Sequence, residues 1–324
     1  SSDATTVSPD KDLDISALCK YAESRGIGLM VYVNQRALVQ QLDSLLPLYK
    51  KWGLKGIKFG FVQVGSQVWT KWMHEAVKKC ADYGLMVDIH DEYRPTGFSR
   101  TYPNLMTQEG IRGNEEFPDA THNVTLPFTR FVAGAADYTI CYYRQDFGRL
   151  NTDKDNYGVP RSKSIQTTPA HQLALAAVYY SPLQYMYWYD KPSDSQDEPE
   201  LKFFDDIYTT WDDTKVLQGE IGQFITIARR KGEEWFIGSI TNNEARALPV
   251  SLDFLPEGKN YVAEIYTDGE RSIKTRTKVK CSRYRVNSMT KLNFELKASG
   301  GSAVRLIPEK DVNKKLGNYK KQKL

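Results

Sequence analysis

Residues 13 to 90 alternate between two hydrophobic periods, and that alternation constrains the fold more than any other feature of the chain. Leu13, Ala17, Leu18, Tyr21 and Ala22 fall on one face of a helix over 13–25, with Gly26 as its stop. GIGLMVYV (26–33) is then a short apolar run suited to a strand covered on both faces. The pattern repeats. Leu38, Leu42, Leu45, Leu46 and Tyr49 stripe a helix over 36–52, Gly53 closes it, and GIKFGFVQV (56–64) is the next strand. A third helix over 68–83 turns Trp69, Trp72, Met73, Ala76, Val77 and Cys80 inward, and Gly84 precedes the strand LMVDIH (85–90). Strand, helix, strand at this spacing predicts a parallel sheet, because parallel neighbours need a crossover. Glycines at the strand starts and polar residues past the strand ends suit a (β/α)8 barrel with its site at the C-terminal face.

The later barrel signals are sparser. Residues 91–125 are a long polar stretch, and a loop of that length in a compact domain usually carries function. Residues 127–143 and 170–189 read as further barrel elements around a polar loop at 150–168. From residue 221 the period becomes two. QFITIARR, EWFIGSITN, LPVSLDFL, YVAEIYTD, KLNFELKA and SAVRLIPE alternate between turn signals, as strands of an antiparallel β-sandwich do. The expected partition is a barrel region over 1–220, a β-sandwich over 221–308 and a basic tail over 309–324. Two domains suit 324 residues.

Charge and cysteine usage exclude several classes. The net charge of +4 is a small difference between 44 basic and 40 acidic residues. Lys310, Lys314, Lys315, Lys320, Lys321 and Lys323 read as a solvated tail, so no nucleic-acid partner is expected. No apolar run approaches the roughly 18 residues of a membrane helix, so no membrane insertion is expected. Four cysteines without a CxxC pair suggest neither a zinc site nor a disulfide framework. The N-terminal SSDATTVSPDKD lacks the basic and apolar regions of a signal peptide and reads as a polar loop.

Carboxylates crowd where a barrel enzyme would use them. His90, Asp91 and Glu92 end the LMVDIH strand, Glu109, Glu115 and Glu116 lie in the loop that follows, and Asp137 comes after FVAGAA. A glycosidase needs one protonated carboxyl beside the leaving oxygen and a second that attacks the anomeric carbon or activates water. The same cluster would suit a hard cation such as calcium, and loop carboxylates are as readily just solvated.

GIKFGF, DIHDEYRPTG, RTYPNLMTQEGIRGNEE, HNVTLPFTR, GAADYT and QLALAAVYYSPLQ, with FITIARRKGEEWFIGSITN in the β region, resemble glycoside hydrolase family 97. The resemblance is collinear over nearly the whole chain. It implies an α-glucosidase or α-galactosidase with an N-terminal β-super-sandwich, a catalytic (β/α)8 barrel and a C-terminal β domain, acting on oligosaccharides with calcium in the site. It implies Glu115 as general acid and Glu109 as a calcium ligand, joined by Asp91 and Glu115. Asp91, following the strand-end His90, stands where the inverting branch has a combined base and calcium ligand, with Glu92 beside it as the other candidate base. The retaining branch's nucleophile position is Gly60, and the inverting branch's second base falls at Asn34. Inversion through Asp91 is the expected outcome, and a non-catalytic carbohydrate-binding remnant is the competing one.

His90, Arg94, His122, Asp137 and Lys58 are the candidate sugar contacts. Each also has a structural alternative: packing of His90 at a strand end, ion pairing of Arg94 and Asp137 at the rim, and hydrogen bonding by a lone His122. Lys58, on a barrel strand, needs an acidic partner if buried. By resemblance the chain starts after the barrel's second strand, so 1–220 is expected to hold about six βα units, an incomplete catalytic (β/α)8 barrel, and the missing strands and N-terminal sandwich are expected from a longer chain or a partner. A periplasmic or secreted bacterial setting is also implied by the resemblance, and the sequon Asn123-Val124-Thr125 is then accidental.

Overall fold

The computed structural model describes residues 13–141, 165–188, 193, 195, 198–270, 272–273 and 277–310. The N-terminal polar loop, most of the 150–168 loop and residues 311–324 of the basic tail lie outside the described residues. The chain divides into two compact units. One comprises Ser1–Ile111, Ala133–Asp137 and Ser181–Leu183, and the other Arg112–Val132, Tyr138–Tyr180 and Gln184–Leu324.

The first unit holds α1 (Ile15–Glu23), β1 (Met30–Asn34), α2 (Gln35–Trp52), β2 (Gly56–Gly60), α3 (Gln67–Asp82), β3 (Met86–Ile89) and β4 (Leu105–Gln108). Side-chain oxygens start the helices: Asp14, Asn34 and Ser66 accept the amides of Ala17, Arg36 and Trp69. Gly53 closes α2 at φ 88°, in the left-handed region that glycine adopts without strain. The four strands pair in parallel in the order β1-β2-β3-β4. Alternation sorts their side chains. Val33, Ile57, Phe59, Val87, Ile89 and Leu105 join Leu38, Leu45, Leu46, Met73 and Val77 of the helices in one apolar core. The opposite face carries Tyr32, Lys58, Asp88 and Thr107, which are register partners across the four strands. β4 falls inside the stretch expected to be loop, because four residues, LMTQ, are too few to display a period.

The second unit holds α4 (Ala120–Thr125), β5 (Ile140–Cys141), α6 (Pro169–Val178), β6 (Met186–Tyr187) and α7 (Lys202–Asp206), with a short turn of helix, α5 (Arg130–Ala133), at its margin. β5 and β6 pair in parallel in a two-stranded sheet of their own. The antiparallel region begins earlier than expected. β7 (Asp213–Glu220) precedes β8 (Phe224–Lys231), β9 (Glu234–Thr241), β10 (Arg246–Ser251), β11 (Asn260–Asp268), β12 (Val279–Asn287), β13 (Lys291–Leu296) and β14 (Gly301–Pro308). A six-stranded sheet runs β12-β11-β14-β9-β8-β7, and β10 pairs with β13. Leu248 and Val250 of β10 and Leu292, Phe294 and Leu296 of β13 pack with Trp235, Ile237, Tyr261, Ala263, Val304 and Leu306 of the large sheet, which makes the sandwich core.

Helix α6, expected as a barrel element, packs on β8, β9 and β14. All ten of its residues are buried. The approach is close enough to require glycine: a Cβ on Gly238 would lie 2.4 Å from the Ala174 carbonyl, and one on Gly301 would lie 2.6 Å from the His171 Cα. Arg229 on β8 closes the helix, its guanidinium donating to the carbonyls of Ala177 (2.6 Å) and Val178 (3.0 Å). Asn123 is fully buried, so its sequon is inaccessible to a glycan. Cys19, Cys80 and Cys141 are buried free thiols and Cys281 is an exposed one. Among the described residues no helix is long and apolar enough to cross a membrane.

Candidate active site

The site in the first unit is built from the C-terminal ends of β2, β3 and β4. The ladder continues past the strands. His90 N–H donates to Phe59 O (2.9 Å), Glu109 N–H to Ile89 O (2.8 Å), and Asp137 N–H to Gln108 O (3.1 Å). Backbone pairing therefore brings His90, Glu109 and Asp137 to one rim although they are widely separated in sequence.

Lys58 stands at the centre. Its Nζ lies 3.2 Å from Asp88 Oδ2 and donates a short hydrogen bond to Asp137 Oδ2. Side-chain exposure is 13% for Lys58, 0% for Asp88 and 1% for Asp137. The acidic partner that a buried lysine requires is therefore present twice over. Burial, with the Asp137 carboxylate beside it, pushes the Asp88 carboxyl well above the usual range, against the opposing pull of Lys58. Asp88 was not anticipated as a site residue. The signal was an acid in the middle of the apolar run LMVDIH, at the register position facing Lys58.

His90 Nδ1 lies 3.0 Å from Glu109 Oε2 and 4.0 Å from Asp137 Oδ2. Glu109 is itself only 6% exposed. Asp91 adopts φ 62°, and its Oδ2 accepts the Val62 amide at 2.9 Å, while its carbonyl accepts Gly110 N–H. It thus ties the loop after β2 to the loops after β3 and β4. Glu92 and Arg94 are exposed on the same loop.

The second unit carries Glu115 and His122. Glu115 sits on the 3-10 turn Asn114–Glu116, exposed, directly after a fixed residue. Buried Asn114 donates from its side chain to Thr139 O (3.0 Å) and Gln172 Oε1 (2.7 Å), and from its backbone to Tyr138 O (3.0 Å). His122 Nε2 lies 3.1 Å from the Arg112 carbonyl, and burial lowers its imidazole pKa. That is the structural role weighed against sugar binding. The structure therefore brings together Lys58, His90, Glu109 and Asp137, adds Asp88, and places Glu115 on its own anchored turn.

At the two positions where the resemblance expects other carboxylates, the chain does something different. Asn34 uses its side chain to cap α2. Gly60 lies under the ring of Tyr32: a Cβ there would come within 1.9 Å of the Tyr32 hydroxyl.

Comparison with known proteins follows the same lines. A family model described as Glycoside hydrolase 97 matches residues 1–111, and one described as Glycosyl-hydrolase 97 C-terminal, oligomerisation, matches residues 210–307. A protein of Bacteroides thetaiotaomicron named Retaining alpha-galactosidase is 33% identical over 91% of this chain and 45% of its own length. A Probable retaining alpha-galactosidase of Streptomyces bingchenggensis is 32% identical over 74% of this chain and 35% of its own length. A glycoside hydrolase family 97 enzyme from Pseudoalteromonas sp. strain K8, solved with acarbose, superposes with a TM-score of 0.80 at 29% identity, over 93% of this chain and 50% of that one. A glutamate-to-glutamine variant of a family 97 enzyme from the same strain has been solved with panose. The chain thus spans about half the length of the relatives it matches. With both family models matched in chain order and a solved member superposing over 93% of this chain, the chain belongs to glycoside hydrolase family 97.

Proposed function

We propose that this protein hydrolyses α-galactosidic or α-glucosidic bonds of oligosaccharides. The observation that carries the reading is the rim at which parallel strands place Lys58, Asp88, His90, Glu109 and Asp137 together in one polar cluster. The names of the curated relatives, and the acarbose and panose bound to the solved ones, support these sugar classes.

In this proposal Glu115 gives its proton to the leaving oxygen, and Asp91 activates the water, with Glu92 as the neighbouring candidate base. His90, Arg94, His122, Asp137 and Lys58 hold sugar hydroxyls. Inversion is favoured because Gly60 offers no carboxylate and Tyr32 covers the space above it. Calcium belongs to the same proposal. Glu109 and Asp91, with Glu115, are carboxylate donors of the kind a hard cation takes, and Asp91 keeps one oxygen beyond the one Val62 occupies. Bound there, the ion would supply fixed positive charge for sugar oxygens. A periplasmic or secreted setting is proposed on family resemblance alone.

Proton NMR of the first sugar released from an aryl α-galactoside and an aryl α-glucoside tests the mechanism. The β anomer is expected from an α substrate. First release of the α anomer would establish retention, as the relatives' names have it, and end the inverting assignment.

A second reading, a carbohydrate-binding protein without hydrolysis, is favoured by Asn34 serving as a helix cap and Gly60 lacking any side chain. It predicts sugar binding with no turnover of either aryl glycoside.

A further inference from the structure

Two aromatic side chains stand exposed beside the cluster, Tyr32 in the middle of β1 and Phe61 just past the end of β2. Tyr32 is 50% exposed and Phe61 is 68% exposed, and their rings meet edge to face at 6.4 Å. Tyr32 also meets the His90 ring edge to face at 6.0 Å. Exposure of single aromatics is ordinary, but the way these two are held is not.

Phe61 adopts φ 51°, a region costly for a bulky side chain and retained where the surroundings enforce it. The enforcing contact is visible. The next residue, Val62, donates its amide to Asp91 Oδ2, so the strand-end aspartate fixes the turn that carries Phe61. Gly60 enforces the position of Tyr32. The tyrosine ring lies on the bare Cα of Gly60, where any Cβ would come within 1.9 Å of both Cζ and Oη. Tyr32 faces the same side of the sheet as Lys58 and Asp88, its neighbours in register.

We propose that Tyr32 and Phe61 form an aromatic platform on which the apolar C–H face of a pyranosyl ring packs, with Gly60 kept bare so that the Tyr32 ring can lie there. The platform names a substrate feature that the carboxylates do not read: a hexose face of C–H groups, turned to aromatic carbon while the hydroxyls meet Lys58, His90 and Asp137. Aromatic rings bury large apolar areas at small entropic cost, which suits them to hold a ring sugar. This inference rests on the sugar-site reading above, but not on turnover.

Saturation-transfer NMR and titration with methyl α-D-galactopyranoside and methyl α-D-glucopyranoside test it on the whole protein. Wild type is expected to bind at least one probe with the ring C–H protons saturated. Y32A is expected to weaken binding about ten-fold, and Y32F to stay within about three-fold of wild type, because the ring face carries the contact. G60A displaces the ring and is expected to weaken binding too, while the double variant G60A/Y32A binds no worse than Y32A alone. Binding unchanged or tightened in Y32A overturns the proposal, as does equal loss in Y32F and Y32A, or no binding of either probe by wild type. If G60A fails to fold, the Y32A and Y32F pair decides. Tyr32-dependent binding without hydrolysis of the aryl glycosides would defeat the hydrolase reading and leave the platform standing.

Discussion

Replacing Lys58 by methionine isolates the electrostatics of the buried cluster. The ammonium lies 3.2 Å from Asp88 Oδ2 and bonds Asp137, and both acids are almost wholly withdrawn from solvent. At an effective dielectric of about 20, a pair at that distance attracts by about 5 kcal/mol. Breaking a buried pair and leaving a charge behind costs about 3–5 kcal/mol in practice. K58M is therefore expected to destabilise the first unit by about 3–5 kcal/mol at pH 7. The loss should shrink on acidification. Burial already holds the Asp88 carboxyl above its unfolded value, and removing Lys58 raises it further. A carboxyl raised in the folded state opposes folding once ionised, so this penalty is absent below the unfolded pKa of about 4 and develops as pH rises through the folded value. Hydrogen exchange of peptides covering β2 and β3 reads the change locally, and K58M/D88N should recover part of it. A loss below about 1 kcal/mol, or one independent of pH, would refute the account of Lys58 as the counter-ion of a buried acid pair.

Other expectations follow from separate parts of the molecule. Gly238→Ala sets a Cβ 2.4 Å from the Ala174 carbonyl and should cost about 1–3 kcal/mol in chemical unfolding of the second unit. His171 is fully buried, its Nδ1 3.2 Å from Gly300 O and its Nε2 3.1 Å from Asn123 Nδ2, and burial pushes its pKa down to about 3. Below about pH 6.5 the unfolded imidazole takes up a proton that the folded one refuses, so stability should fall by about 1.4 kcal/mol per pH unit towards pH 3. That slope should be smaller in His171→Gln, and equal slopes would remove His171 as its source. Glu115→Gln, if Glu115 is the acid, should cut hydrolysis of alkyl α-glycosides by about 10²–10⁴ while sparing aryl glycosides with good leaving groups. Calorimetric titration of calcium into chelator-treated protein should show binding that Glu109→Gln weakens at least ten-fold, and an unaltered isotherm would exclude Glu109 as a ligand.

Much of the fold was legible because the first part alternates helical and strand periods and the last part keeps a period of two. Helical stripes closed by glycine, followed by apolar runs, gave α1 to α3 and β1 to β3 within a few residues of their observed ends. β7 and β12 went unread because they are the sheet's two edges, where polar residues break the alternation of DTKVLQGE and VKCSRYRVN. β4 was too short to show a period, and its strand character comes from pairing with β3. QLALAAV reads as a wholly buried helix, but local pattern could not say which layer would bury it.

By itself the sequence determined which residues are strand and helix over most of the chain, the change from parallel to antiparallel architecture, and the candidate acids Asp91, Glu109, Glu115 and Asp137. Register was left to the tertiary structure. It set Lys58 opposite Asp88, drew Asp137 onto the edge of β4, turned the Asp91 carboxylate to the Val62 amide and laid the Tyr32 ring over Gly60. The physical reason is range. Periodicity is imposed by backbone geometry within a few neighbours, whereas the partner of a buried charge is chosen by strands that meet only after the chain has folded.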